Sequence, residues 1–163
     1  TQPERLICIF KQRTSEMTDT NNKTDIDALN DVTKVLIDSQ KGYEKCAELA
    51  DESFGLRSQF QQRANDRATL VSRFQAQVRT YGGEPQTEGG ALGALHRGFT
   101  QFASVFKDDR KAALEAIDDG EEHLAKAIED RLETPQLQSP SRTLLDEAYT
   151  SARSGEAFAD SLT

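Results

Sequence analysis

The sequence predicts an all-α chain folded as a four-helix bundle, with two antiparallel hairpins joined by a long crossover. Three observations carry that prediction. Apolar residues recur in alternating steps of three and four through four separate stretches, which is the spacing of helices with one buried face. Short breaks separate the first stretch from the second and the third from the fourth, whereas residues 82–107 separate the second from the third. A chain of 163 residues, 36% hydrophobic and 29% charged, with four prolines, supplies one core and a solvated exterior.

Residues 1–23 read as a mostly disordered N-terminal tail. Their apolar run, Leu6 to Phe10, is shorter than a signal-peptide core and far short of a membrane span. Met17 followed by Thr18-Asp-Thr-Asn-Asn-Lys resembles a start, which makes residues 1–16 an upstream extension. The first helix is expected over 25–51, with Thr24 as N-cap and Asp27 complementing the dipole in the first turn. Its inward stripe is Ile26, Leu29, Thr33, Leu36, Gln40, Tyr43, Ala47 and Ala50. Glu52-Ser-Phe-Gly is a short connection, so the second helix, 56–81, returns antiparallel. It places Leu56, Phe60, Ala64, Arg67, Val71, Phe74, Val78 and Tyr81 on one face. Gly82-Gly83 supplies a glycine C-cap and Pro85 prevents continuation.

Beyond Gly82-Gly83, the crossover, 82–107, combines Gly89, Gly90, Gly93 and Gly98 with Leu92, Leu95, Phe99, Phe102 and Phe106 at helical spacing. That pattern predicts a loop followed by a short helix over about 91–106. Asp108 caps the third helix, 108–132, whose stripe is Leu114, Ile117, Glu121, Leu124, Ile128 and Leu132. Thr134-Pro135 ends it. Ser139 as N-cap and Pro140 at the first helical position open the fourth helix, 140–161. Its stripe of Leu145, Ala148, Ala152, Gly155, Ala159 and Leu162 is rich in small residues, which implies close approach to a neighbour. Helices of this length span about 38 Å, and residues 82–107 are long enough to travel it. Two tight hairpins with one long crossover define the ferritin-like topology, with the bundle over 24–163. A weak internal repeat agrees: Asp38, Lys45 and Glu48 align with Asp119, Lys126 and Glu129.

The net charge of -8 disfavours nucleic acid and anionic membranes as partners, because both select basic surfaces. The acidic run Asp118, Asp119, Glu121 and Glu122 reads first as a solvated helix face. Cys8 and Cys46 form neither a metal-ligand spacing nor a disulfide framework, which fits a reducing, cytoplasmic location.

A di-iron site in such a bundle needs a glutamate from each of two helices and a Glu-x-x-His from each of the others. The second and fourth helices contain no histidine, Gln40 stands where a glutamate is expected, and Glu121 alone has ligand chemistry. His123 lies on another face from Glu121, and His96 falls in the crossover. No metal, cofactor or catalytic residue is therefore assigned. The inward positions of Gln40, Arg67 and Glu121 instead predict a core polar cluster, an Arg67–Glu121 ion pair with Gln40 as third partner. The alternative is an Arg67 that bends outward to solvent. No phosphate-binding glycine motif and no G-x-S-x-G are present.

The segments Leu29-Asn-Asp-Val, Asp38-Ser-Gln-Lys-Gly-Tyr, Tyr81-Gly-Gly-Glu-Pro, Gly90-Ala-Leu-Gly-Ala-Leu-His-Arg-Gly-Phe and Asp119-Gly-Glu-Glu resemble a bacterial family, domain of unknown function 2383. The resemblance covers roughly 25–133. It implies a ferritin-like bundle without established activity, suspected of a stress-related role. Family members commonly carry glutamate where this chain has Gln40. It also makes His96 and Arg97 a candidate crossover anchor or partner surface. The expected function is non-enzymatic, through self-association into a homo-oligomer or binding of a protein partner, with small residues of the fourth helix as the association surface. A degenerate metal-binding relative and a small-ligand module are the alternatives.

Overall fold

The computed structural model describes residues 2–50, 54–90, 104 and 110–162. Four long helices carry the fold: α1 Gln2–Leu49, α2 Phe54–Thr80, α3 Arg110–Leu132 and α4 Ser139–Leu162. Among the described residues there is no strand. The all-helical reading therefore holds, and apart from the start of α1 the described helix ends fall within two residues of those expected. Apart from Ser104, which is helical and exposed, the predicted short helix over 91–106 lies outside the described residues, as do the Asp108 cap, His96 and Arg97.

Cross-helix pairs fix the directions. Asn22 of α1 meets the Tyr81 carbonyl, while Tyr43 packs on Phe60, so α1 and α2 are antiparallel. Tyr149 bonds Glu129 and Gly155 lies against Glu121, which makes α3 and α4 antiparallel. Arg131 pairs with Asp31 at 2.6 Å, whereas Tyr43 lies beside Glu121. Hence α3 also runs against α1. The chain leaving α2 begins its return along α1. The Asn30 amide bonds the Glu84 carbonyl at 2.9 Å and its oxygen accepts the Gln86 amide at 2.8 Å. Two turns further along α1, Asp38 accepts the Gly90 amide at 3.2 Å. Gly89 is required in this strap, since a methyl group there would overlap the Asp38 carboxylate.

The end of α2 is closed as its glycines predict. Gly82 takes φ +82°, a left-handed conformation cheap only for glycine. The amides of Gly82 and Gly83 return to Arg79 and Val78 at 2.9 and 3.0 Å, the paired bonds of a Schellman cap. The start of α4 differs by one residue from the expected cap. The Gln138 carbonyl accepts the Arg142 amide, so Gln138 is the cap and Pro140 sits at the second helical position. The reason is a partner distant in sequence: buried Asp25 accepts the Gln138 amide at 3.0 Å and also the Ser141 hydroxyl. Ser141 in turn touches the Tyr81 hydroxyl at 3.0 Å. One carboxylate thus ties three helices at this end of the bundle.

The largest departure concerns residues 1–23. Residues 2–23 are not a disordered tail: α1 is continuous from Gln2, and every side chain from Ile7 to Thr20 is exposed. Thr24 is not a cap but a mid-helix residue whose hydroxyl bonds the Thr20 carbonyl. Helix nucleation is costly and propagation is not. The bundle-anchored part of α1 supplies the nucleus, and no glycine or proline interrupts residues 4–41. The result is an arm that extends beyond the bundle by about 30 Å.

Candidate functional site, a polar layer at the waist of the bundle

The core divides into two apolar clusters. One is built on Leu29, Val32, Leu36, Phe74, Val78, Leu124, Ile128 and Leu145. The other is built on Tyr43, Cys46, Ala47, Leu56, Phe60 and Ala64, with Ile117 and Phe158 against it. Between them, each helix contributes a polar or very small residue at the same level: Ser39, Arg67, Glu121, and Ser151 with Gly155. Of the expected cluster, Arg67 and Glu121 lie in this layer.

Arg67 is 1% and Glu121 3% exposed. A guanidinium removed from water this completely must satisfy its donors internally. Its Nη2 donates to Glu121 Oε2 at 2.5 Å, its Nη1 to Ser151 Oγ at 2.6 Å and its Nε to Ser39 Oγ at 2.9 Å. Nη2 also reaches the Ser151 carbonyl at 3.4 Å. The guanidinium carbon lies 5.9 Å from the Tyr43 ring centroid, within range of a cation–π contact. The predicted ion pair therefore forms, and Arg67 does not turn to solvent.

Gln40 is not the third partner. Its amide is half-buried and donates along α1 to Glu44 at 2.9 Å. The core stripe of α1 passes from Leu36 and Ile37 to Tyr43, and the turn between them can offer either residue 39 or residue 40. The short Ser39 side chain suits the space beside Arg67, while a glutamine there would need two more donors satisfied. Ser39 and Ser151 were not legible as site residues. Gly155 was on the predicted stripe but carried a different meaning. A β-carbon there would lie 2.7 Å from both Glu121 oxygens, so the glycine makes room for a carboxylate. Likewise Ala148, Ala152 and Ala159 are buried inside the chain. Those small residues face α4's own bundle partners and do not form an association surface.

The Tyr43 hydroxyl is buried beside the Glu121 carboxylate, yet no described group meets it in hydrogen-bond geometry. Burial first, and the Glu121 charge second, push its phenol well above the ordinary range. Burial also pushes the Cys46 thiol up to about 12 from an ordinary 9.0. Both groups stay neutral in the fold, whereas the unfolded chain ionises Cys46 once the pH passes about 9. Stability is therefore complete below that pH and falls as pH rises from about 9 toward 12, by about 1.4 kcal/mol per unit for the thiol alone. Denaturant unfolding at about pH 8 and pH 10 checks this, and Cys46→Ala should flatten the loss. A thiol reagent at neutral pH should titrate exposed Cys8 and spare Cys46 until the chain is unfolded.

The donor set does not fit a di-iron centre. Glu121 is engaged by a guanidinium, and a cation at the same carboxylate would face Arg67. Helix α2 carries Asp66 as its sole acid and no histidine, and His123 is exposed. Among the described residues no three of His, Cys, Asp or Glu converge. No helix among them is long and apolar enough to cross a membrane.

With this geometry in view, comparison with known proteins gives one family. The profile described as Domain of unknown function (DUF2383) matches residues 24–134, and the chain belongs to that family. The match begins close to where α1 enters the bundle. No curated protein matches the chain, and neither does any solved structure.

Proposed function

We propose that this protein is a ferritin-like scaffold that works through protein–protein contact, as a homo-oligomer or with a protein partner, and not through a metal centre. The observation that carries this reading is the Arg67–Glu121 pair. It occupies the mid-bundle level at which ferritin-like bundles place their carboxylate ligands, and the guanidinium supplies the positive charge there. The directions of the four helices, with a strap returning along α1, support the ferritin-like topology. The filled waist, with no room for a methyl at Gly155, leaves no space for a small ligand at that level. The cytoplasmic location expected from the cysteine usage and the stress-related role implied by the family resemblance accompany this reading.

Metal analysis after incubation with Fe²⁺ or Mn²⁺ tests it. The expected result is no more bound metal than in a Glu121→Ala variant. Saturable, stoichiometric binding that Glu121→Ala abolishes would overturn it.

A further inference from the structure

The arm of α1 is an apolar helix face that its own bundle leaves uncovered. Ile7, Phe10, Thr14 and Met17 follow steps of three, four and three along one line, and the three apolar residues are 65%, 73% and 67% exposed. Ile7, Phe10, Lys11 and Thr14 line a shallow groove there. The bundle cannot fold over them, because α2 ends at Thr80 and α4 begins at Ser139, both level with the base of the arm. Lys11 and Arg13 pair with no carboxylate among the described residues.

The complement of this arm stands at the other end of the same molecule. The outward face of α3 carries Ala116 and Gly120, both exposed, with open space above the glycine. Asp119 lies beside that face and Glu122 further round the helix, and neither pairs with a cation among the described residues. Partial burial first, and crowding with Asp160, Asp119 and Glu122 second, hold the Asp118 carboxyl above its ordinary range, against the opposing charge of Arg153. Within one chain the two surfaces cannot meet, since the arm is a rigid continuation of α1 pointing away from that end.

We propose that the arm docks on the α3 face of a second copy of this chain, and that the exchange is reciprocal. This deepens the scaffold reading above and rests on it. The axial distances allow it. Asp31 lies level with Arg131, and Tyr43 with Glu121, so Asp119 sits about 30 Å below the end where the arm leaves. Two antiparallel copies, with the ends of their bundles overlapping by roughly 10 Å, bring residues 7–13 of each arm beside Ala116, Asp119 and Gly120 of the other. Ile7 and Phe10 cover the flat small-residue face, and Lys11 and Arg13 meet the carboxylates. Both arms are used, so the contact closes as a two-fold dimer and does not propagate.

Light scattering on the full chain, over a concentration series reaching near-millimolar, tests the proposal. A dimer is expected. Phe10→Glu removes two covered phenylalanines per dimer and should raise the dissociation constant at least about a hundredfold, with helicity and thermal midpoint unchanged because the residue is exposed. Lys11→Glu and Asp119→Lys should each weaken the dimer, and the two together should restore it. A strictly monomeric chain overturns the proposal, as does a dimer indifferent to Phe10→Glu; the second outcome leaves the scaffold reading standing. Stoichiometric metal would sink the scaffold reading alone. A monomer that binds phosphatidylglycerol vesicles through Phe10 would overturn the dimer in favour of a lipid surface.

Discussion

Arg67→Ala should lower the unfolding free energy by about 3–5 kcal/mol, the usual cost of leaving one partner of a buried ion pair alone. Glu121 is 3% exposed, so its carboxylate cannot recover hydration by a small movement. The hydroxyls of Ser39 and Ser151 lose their donor at the same time. Glu121→Ala should cost a similar amount for the converse reason, an uncompensated guanidinium. The double substitution Arg67→Met with Glu121→Leu behaves differently. It removes both charges and continues the apolar clusters above and below, so it should return to within about 1–2 kcal/mol of the parent or exceed it. Arg67→Lys should fall between, because an ammonium lacks the planar fork that spans Ser39, Ser151 and Glu121 together. Guanidinium-induced unfolding with an unchanged m-value measures all four. A cost for Arg67→Ala below about 1 kcal/mol, the worth of an exposed pair, would show that the waist is wet.

If the double variant is as stable as the parent, the pair is retained for something besides stability. Its place between two apolar clusters gives a physical reason. A bundle with an uninterrupted apolar seam can slide by a turn or re-pair its hairpins at little cost, whereas one buried charge pair has a single register that satisfies it. The specificity would appear in the double variant as lost uniqueness, read as broadened side-chain resonances with helicity retained.

The helix stripes, and Arg67 and Glu121 on them, were legible because periodicity reports which side chains share a face. Leu56, Phe60, Ala64, Arg67, Val71, Phe74 and Val78 are buried as predicted. What periodicity cannot resolve is a choice between neighbours where a stripe drifts, and Ser39 against Gln40 was such a choice. Nor does it report contacts between distant segments. Asp25 caps α4 from 113 residues away, which moved that helix start by one residue. The arm was missed for a different reason. Residues 11–24 are polar and rich in threonine and asparagine, which have weak helix propensity. Their helicity follows from attachment to a packed helix, a cooperative effect that no local window contains.

Gly155→Ala is the sharpest remaining test, because the default expectation has the opposite sign. In a helix interior, alanine is favoured over glycine by about 1 kcal/mol. At Gly155 the added methyl would lie 2.7 Å from both oxygens of Glu121, and Glu121 cannot retreat without abandoning Arg67. The side chain must move or α4 must shift outward, and the expected net loss is about 2–3 kcal/mol. In a Glu121→Ala background the obstacle is gone. There the same substitution should stabilise by up to about 1 kcal/mol, as it partly fills the space the carboxylate vacated. The two sites should therefore show a coupling of about 3 kcal/mol in a double-mutant cycle. Additive effects would mean that Glu121 does not lie against α4. Gly155→Ala raising the stability of the parent would mean the same, and the carboxylate would then have to be placed elsewhere in the layer.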